Sequence, residues 1–186
     1  MADNDGISAT AGPSGADSSP PVSSGADRRP RVDFYVIEEA AARARLKLAC
    51  RLAEKAYLAS QRALIWHTDR AELDALDELL WTFADGSFVP HEWLTSNSAA
   101  ADSETLAREH EYLGKAPVLL SAGSPPGAEF DFVVNLASEP PPFLHLARRI
   151  AEIVDGDETR RALARVRFKA YRELGIEPAT HTLRAE

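Results

Sequence analysis

Apolar and polar positions along the chain alternate between two periods. Residues 32–37 form a run of β-branched and aromatic side chains, and residues 38–58 then repeat apolar side chains at helical spacing. Residues 63–66 form a second apolar run, after which leucines recur every three or four residues until about Phe83. The pattern predicts strand, helix, strand and helix, with Asp69 as the N-cap of the second helix.

The second half of the chain continues this alternation. Residues 118–121 and 130–136 are predominantly apolar runs of strand length, the latter as in a sheet covered on both faces. Residues 143–149 are predicted as a helix and residues 153–154 as a short strand, while residues 95–115 form either a long loop or an inserted helix. Alternating strands and helices predict an α/β fold, a three-layer α/β/α domain around a mostly parallel sheet.

The last predicted helix, residues 157–174, is capped by Asp157 and ended by Gly175. Its spacing places four cations and one ring on a single face, with Arg160 one residue off that face: Arg161, Arg165, Phe168, Lys169 and Arg172. The chain as a whole has a net charge of −8. A single-sign stripe around a ring indicates a receptor for an acidic ligand with an apolar end, and the alternative is a solvated helix face.

Composition divides the chain into two parts. Residues 1–31 are rich in Gly, Pro and Ser and are predicted as a disordered N-terminal extension, which leaves residues 32–186 as the folded domain. The extension lacks the apolar core of a secretory signal, and no apolar run approaches the roughly 18 residues of a membrane span. We therefore expect a cytoplasmic protein without a membrane segment. Cys50 lies on the apolar side of the first predicted helix, which favours a reduced core thiol.

The residues that follow the predicted strands do not form a recognisable catalytic arrangement. Glu38 and Glu39 stand where a phosphate-binding sheet would need a Gly-rich turn, so the predicted domain has a nucleotide-binding shape without a phosphate loop. His67 and Asp69 could be a base and its orienting acid, but no nucleophile lies at a recognisable spacing, and Asp69 serves as a cap. Metal-ligand spacing is also missing. We predict no catalytic residue, cofactor or metal, and the rival interpretation is a nucleotide-binding enzyme on a Rossmann-like fold.

Several stretches together resemble one protein family. They are residues 32–35, 49–56, 76–81 (Leu-Asp-Glu-Leu-Leu-Trp), 87–91 (Ser-Phe-Val-Pro-His), 117–119, 134–136, 152–155 and 165–172, with Gly175 and Thr180 beyond. In this order they resemble the chi subunit of bacterial DNA polymerase III, an accessory protein of the clamp-loader assembly. The family often has tyrosine where this chain has Phe168, which keeps the ring and loses a hydroxyl.

The resemblance implies a non-catalytic adaptor in DNA replication, with polymerase activity residing in other subunits. One implied partner is the psi subunit, which ties chi to the clamp loader. The other is the acidic C-terminal tail of single-stranded DNA-binding protein, which ends in a hydrophobic residue with a free carboxylate, so that contact with DNA is indirect. Carried over by position, the tail-binding residues are those of the stripe together with Thr180: Arg161, Arg165, Phe168, Lys169 and Thr180.

Trp81 and Phe88 flank a turn at the end of the second predicted helix. From the residues alone, rings at this place close the core more often than they bind a partner. The resemblance instead places both rings on the surface that faces psi, where aromatic side chains often anchor interfaces.

Overall fold

The computed structural model describes residues 29–38, 40–94, 116–123 and 128–183. Its elements are β1 (Arg31–Ile37), α1 (Ala42–Leu58), β2 (Ala63–Trp66), α2 (Arg70–Thr82), β3 (His91–Trp93), β4 (Val118–Ser121), β5 (Phe132–Asn135), a 3₁₀ turn (Leu144–Leu146), β6 (Arg149–Val154), α3 (Glu158–Glu173) and β7 (Ala179–Leu183). Most of the predicted N-terminal extension and all of residues 95–115 lie outside the described residues. β1 begins at Arg31, one residue before the start of the predicted first strand.

The strands form one sheet in the order β3-β4-β2-β5-β6-β1-β7. Every strand pairing among the described residues is parallel. The prediction of an α/β fold with a mostly parallel sheet is therefore confirmed. β3 and β7, the two strands that the apolar pattern did not predict, form the two edges of the sheet, where burial on both faces is not required.

Helices cover both faces of the sheet. Leu76 and Leu80 of α2 pack with Ile65 on one face, together with α1, whereas Leu64 lies on the other face in the same cluster as Tyr171 of α3. All four residues of β2 are buried, because a parallel strand in the middle of such a sheet contacts helices on both sides. The predicted three layers are thus present.

The helix ends follow the sequence signals closely. The carboxylate of Asp69 accepts a hydrogen bond from the amide of Ala71, and that of Asp157 accepts one from the amide of Arg160. Gly175 has φ +72°, the left-handed conformation that ends many helices. A Cβ at this position would also lie 2.5 Å from Nη1 of Arg29. Both predicted N-caps and the predicted stop of α3 are confirmed.

The predicted helix at residues 143–149 is wrong. Only Leu144–Leu146 forms a helical turn, and Arg149–Val154 is a six-residue strand rather than the two-residue strand predicted at its end. β6 lies between β1 and β5, with Ile150 paired to Val32 on one side and to Val133 on the other. The polar Glu152 concealed the strand pattern, because its partners come from distant parts of the chain.

Candidate protein-interaction surfaces

A cleft of about 360 Å³ lies between α3 and the β1–β7 end of the sheet. It is lined by Phe34, Val36, Val154, Arg161, Ala164, Arg165, Phe168 and Thr180. The strands and Phe168 supply apolar walls, and α3 supplies two guanidinium groups. Such a site can hold an apolar side chain with a carboxylate beside it.

The floor of the cleft is built by aromatic packing between β1 and α3. Phe34 is buried, and its ring centroid lies 5.3 Å from that of Phe168 and 6.2 Å from that of Tyr171. Thr180 of β7 pairs with Phe34 in the parallel register, so the two side chains lie on the same face of the sheet. The structure therefore brings Arg161, Arg165, Phe168 and Thr180 together in one cleft.

Lys169 lies beside this cleft rather than in it. It lines an adjacent hollow of about 370 Å³ with Arg172, Glu173 and Glu177. Arg165 and Phe168 line both spaces and form the wall between them. The five residues assigned to the tail are thus divided between two neighbouring depressions.

Three cations of the stripe already contact carboxylates. Nη1 of Arg165 lies 3.2 Å from Oε1 of Glu158, Nζ of Lys169 lies 3.6 Å from Oε1 of Glu173, and Nε of Arg172 lies 3.6 Å from Oε2 of Glu177. Arg161 instead donates through Nε to the backbone carbonyl of Asp155 at 3.2 Å. Within the described residues, no carboxylate pairs with Arg161.

A buried polar network fixes the orientation of α3. Glu152 of β6 accepts hydrogen bonds from Nε of Arg167 at 2.8 Å, from the hydroxyl of Tyr171 at 2.7 Å and from Nδ2 of Asn135 at 2.7 Å. Burial raises the pKa of Glu152, and Arg167 acts in the opposite direction. Burial and the neighbouring Glu152 also raise the pKa of Tyr171, which keeps its hydroxyl a donor. With Ala164, Arg167 and Tyr171 facing inward, the helical period turns Arg161, Arg165 and Phe168 toward the cleft.

Sequence reasoning missed this network. A signal was present in the spacing of Ala164, Arg167 and Tyr171, which is that of an apolar helix face with a cation in the middle. A second signal was Glu152 inside an otherwise apolar run. The sequence alone does not show that Arg167 and Glu152 are partners. They meet only because the fold places β6 beneath α3.

A second polar cluster holds β7 on the sheet. The buried carboxylate of Asp33 is contacted by Nε2 of His181 at 2.8 Å, by Nε of Arg149 at 2.7 Å and by Nη2 of Arg31 at 2.9 Å. The His181 ring also stacks on Tyr35 with centroids 5.1 Å apart. Burial alone would raise the pKa of Asp33, but the hydrogen bonds from His181, Arg31 and Arg149 lower it below its ordinary value. This cluster secures the strand that carries Thr180.

Trp81 and Phe88 lie at the opposite edge of the sheet, next to β3. Their side chains are exposed, at 53% and 59%, and their ring centroids are 5.4 Å apart. The turn between them is anchored to α1 by the hydroxyl of Ser87, which donates to Oε1 of Glu54 at 2.6 Å. His91 packs against Trp81 at 4.9 Å. The two rings form an ordered apolar surface rather than part of the core.

The carboxyl end of β5, in the middle of the sheet, is occupied by a buried arginine and its ion pair. Arg45 donates from Nη1 to the carbonyl of Leu136 at 3.0 Å and pairs through Nη2 with Glu72 at 2.7 Å. Burial lowers the pKa of Arg45, and Glu72 opposes that shift. A ligand of a doubly wound sheet would bind in this region. Here a buried arginine bridges α1, α2 and the end of β5.

His67 and Asp69 serve the turn that precedes α2. Nδ1 of His67 accepts from the amide of Asp69 at 2.7 Å, while Asp69 caps α2. Burial and the nearby Arg45 lower the pKa of His67. Burial also raises the pKa of the Cys50 thiol to about 12, which makes it a poor nucleophile.

None of the helices in the described part of the chain has the length and apolar character that a bilayer crossing needs.

Residues 30–179 match the family model described as DNA polymerase III chi subunit, HolC. The DNA polymerase III subunit chi of Pseudomonas aeruginosa is 39% identical over 153 residues, which cover 82% of this chain and 96% of that protein. The subunit chi of Escherichia coli K12 is 28% identical over 137 residues, covering 73% of this chain and 84% of that protein.

Two solved structures share the fold at low identity. T4 UvsW superposes with a TM-score of 0.56 at 11% identity, over 82% of this chain and 42% of that chain. The C-terminal domain of S. cerevisiae Dbp5 gives 0.52 at 11% identity, over 81% of this chain and 90% of that one. These similarities concern the fold alone.

Proposed function

The chain belongs to the DNA polymerase III chi subunit family, and we propose that it is a non-catalytic adaptor in DNA replication. In this proposal the α3 cleft binds the acidic C-terminal tail of single-stranded DNA-binding protein. The surface around Trp81 and Phe88 binds the psi subunit and so connects the chain to the clamp loader. Contact with DNA is then indirect.

The cleft is the observation that carries the proposal. Apolar side chains of Phe34, Val154 and Phe168 stand next to Arg161 and Arg165 in one space of about 360 Å³. This combination suits the end of a peptide whose last side chain is apolar and whose terminal carboxylate is free. Lys169 in the neighbouring hollow would meet acidic residues further from the end of the tail. Because the chain as a whole has a net charge of −8, an acidic ligand is attracted to this local positive surface and not to the protein in general.

The non-catalytic part of the proposal is supported by how the strand ends are used. In a nucleotide-binding enzyme of this shape, a Gly-rich turn and a helix N-terminus would face a phosphate there. In this chain Arg45 and Glu72 occupy the end of β5, and His67 and Asp69 build a turn.

A peptide-binding experiment tests the proposal. A fluorescent peptide with several acidic residues, a terminal apolar residue and a free carboxylate should bind with roughly micromolar affinity, because ordering a disordered tail offsets part of the contact energy. The same peptide with an amidated terminus should bind more weakly. Arg165→Ala should weaken binding about three- to ten-fold, since a charge-assisted contact is lost from an exposed position.

The control substitution has to remove a cation without disturbing the fold. Arg160 lies off the stripe, but its Nε and Nη2 each lie 2.7 Å from the buried carboxylate of Asp155, so its removal would leave that carboxylate with only the hydrogen bond from the amide of Asp157. Arg51 is exposed on α1, across the sheet from the cleft, and is the better control. Equal losses for Arg51→Ala and Arg165→Ala, or equal binding of the amidated peptide, would contradict the proposal.

A further inference from the structure

We propose that the glutamates paired with the α3 stripe, above all Glu158, occupy the place of the ligand's carboxylates in the free protein and are displaced when an acidic peptide binds. This inference rests on the proposed function of the cleft. It adds that the chain limits its own affinity through internal acidic competitors, which makes Glu158 a determinant of both affinity and salt dependence.

The position of Glu158 carries the argument. It lies two helical turns before Arg165 on the same face of α3, and its Oε1 lies 3.2 Å from Nη1 of Arg165. Both side chains are largely exposed, at 76% and 69%, so neither is held by packing. An arginine at the wall of an apolar cleft is thus paired with an exposed carboxylate from its own helix, where a ligand's carboxylate would otherwise bind.

The same arrangement recurs in the adjacent hollow. Lys169 contacts Glu173 and Arg172 contacts Glu177, each at 3.6 Å. Exposed pairs of this kind contribute little to folding, so they can exchange partners readily. Arg161, which donates to a backbone carbonyl, has no such competitor within the described residues. The stripe therefore combines one available cation with three that are internally paired.

Displacement has a distinct physical signature. When a peptide carboxylate replaces Glu158 on Arg165, one ion pair forms and one breaks, so this contact adds little net salt dependence. Without the carboxylate of Glu158, binding forms a pair that did not exist before. Loss of the Glu158 carboxylate also removes its repulsion of the acidic peptide. A neutral side chain at this position should therefore raise affinity and steepen the dependence on salt.

The experiment measures binding of the acidic free-carboxylate peptide to Glu158→Gln, Glu177→Gln and the wild type at several salt concentrations. Glu158→Gln should bind about two- to five-fold more tightly than the wild type, as expected for release of one exposed pair, and with a steeper salt dependence. Glu177→Gln should show a smaller gain in the same direction. Because Glu177 follows α3, its change also leaves the helix N-terminus unaltered.

Glu78→Gln is the matched control for net charge. Glu78 is exposed on α2, on the other face of the sheet, and its substitution should change affinity by less than about 1.5-fold, since salt screens charges beyond roughly 8 Å. Wild-type binding with no gain in Glu158→Gln, or an equal gain in Glu78→Gln, would overturn the displacement inference and leave the proposed function intact. Absence of peptide binding by the wild type would overturn both.

Discussion

Replacing Arg167 by methionine should destabilise the domain through Glu152. Arg167 and Glu152 are 6% and 0% exposed, and Nε lies 2.8 Å from Oε2. Methionine preserves most of the aliphatic volume but removes the charge, so a buried carboxylate keeps only the donors of Tyr171 and Asn135. Breaking a buried pair by removing one partner costs about 3–5 kcal/mol of the free energy of unfolding. For a domain of this size, that lowers the melting temperature by on the order of 10 °C.

The pH dependence identifies the cause. Burial already raises the pKa of Glu152, and loss of Arg167 removes the group that most opposes that shift. An acid whose pKa is raised by folding contributes stability below its unfolded pKa of about 4.3 and loses it as the pH rises through the folded pKa. The deficit of Arg167→Met relative to the wild type should therefore grow between pH 5 and pH 8. Urea denaturation followed by tryptophan fluorescence measures it.

Two further variants make this reasoning refutable. The double variant Arg167→Met with Glu152→Gln removes both charges and should recover most of the lost stability at pH 8. Arg172→Met, on the exposed side of the same helix, should change the free energy of unfolding by less than about 0.5 kcal/mol. A deficit below about 1 kcal/mol for Arg167→Met, a deficit independent of pH, or no recovery in the double variant would show that the network does not hold α3.

Two other predictions concern the opposite edges of the sheet. Trp81→Ala and Phe88→Ala should each weaken psi binding by about 1–3 kcal/mol in calorimetry with little change in melting temperature, because both rings are exposed; a lowered melting temperature with unchanged affinity would mean that they stabilise the fold instead. Asp33→Asn should lower stability at pH 7, and its deficit relative to the wild type should shrink as the pH falls below about 4. The sign follows because an acid with a lowered pKa contributes stability above its unfolded pKa and loses it on protonation. A deficit in urea denaturation that stays constant from pH 7 to pH 3 would contradict this explanation.

The parts of the fold that the sequence predicts are those with local causes. Asp157 caps α3 through an amide three residues away, and Gly175 ends it through its own φ angle. Both signals lie within one turn of the feature that they determine. The same holds for Asp69 and for the apolar residues 132–134 of β5, whose burial on both faces follows from their composition.

Only residues 153–154 of β6 were predicted as strand, because the determinants of the rest are distant in the chain. Glu152 is unfavourable in a buried strand unless Arg167, Tyr171 and Asn135 meet it, and these lie 15, 19 and 17 residues away. Helical spacing likewise grouped the stripe correctly but could not supply the opposite wall of the cleft, where Phe34 comes from the first strand. Nor could spacing alone show that Lys169 and Arg161 line different depressions, since both lie on one broad helix face.

The placement of the two surfaces gives the adaptor proposal a geometric basis. The cleft adjoins β7 and the Trp81–Phe88 surface adjoins β3, which are the two ends of the sheet order. Six strand spacings of about 4.8 Å separate these edges by about 29 Å, so two partners can bind without contacting one another's site. The sheet between them is parallel and packed against helices on both faces, so the folded core of the domain sets their separation. Between these edges, Arg45 of α1 donates to the carbonyl of Leu136 at the end of β5 and pairs with Glu72 of α2, so both helices are tied to the middle of the sheet.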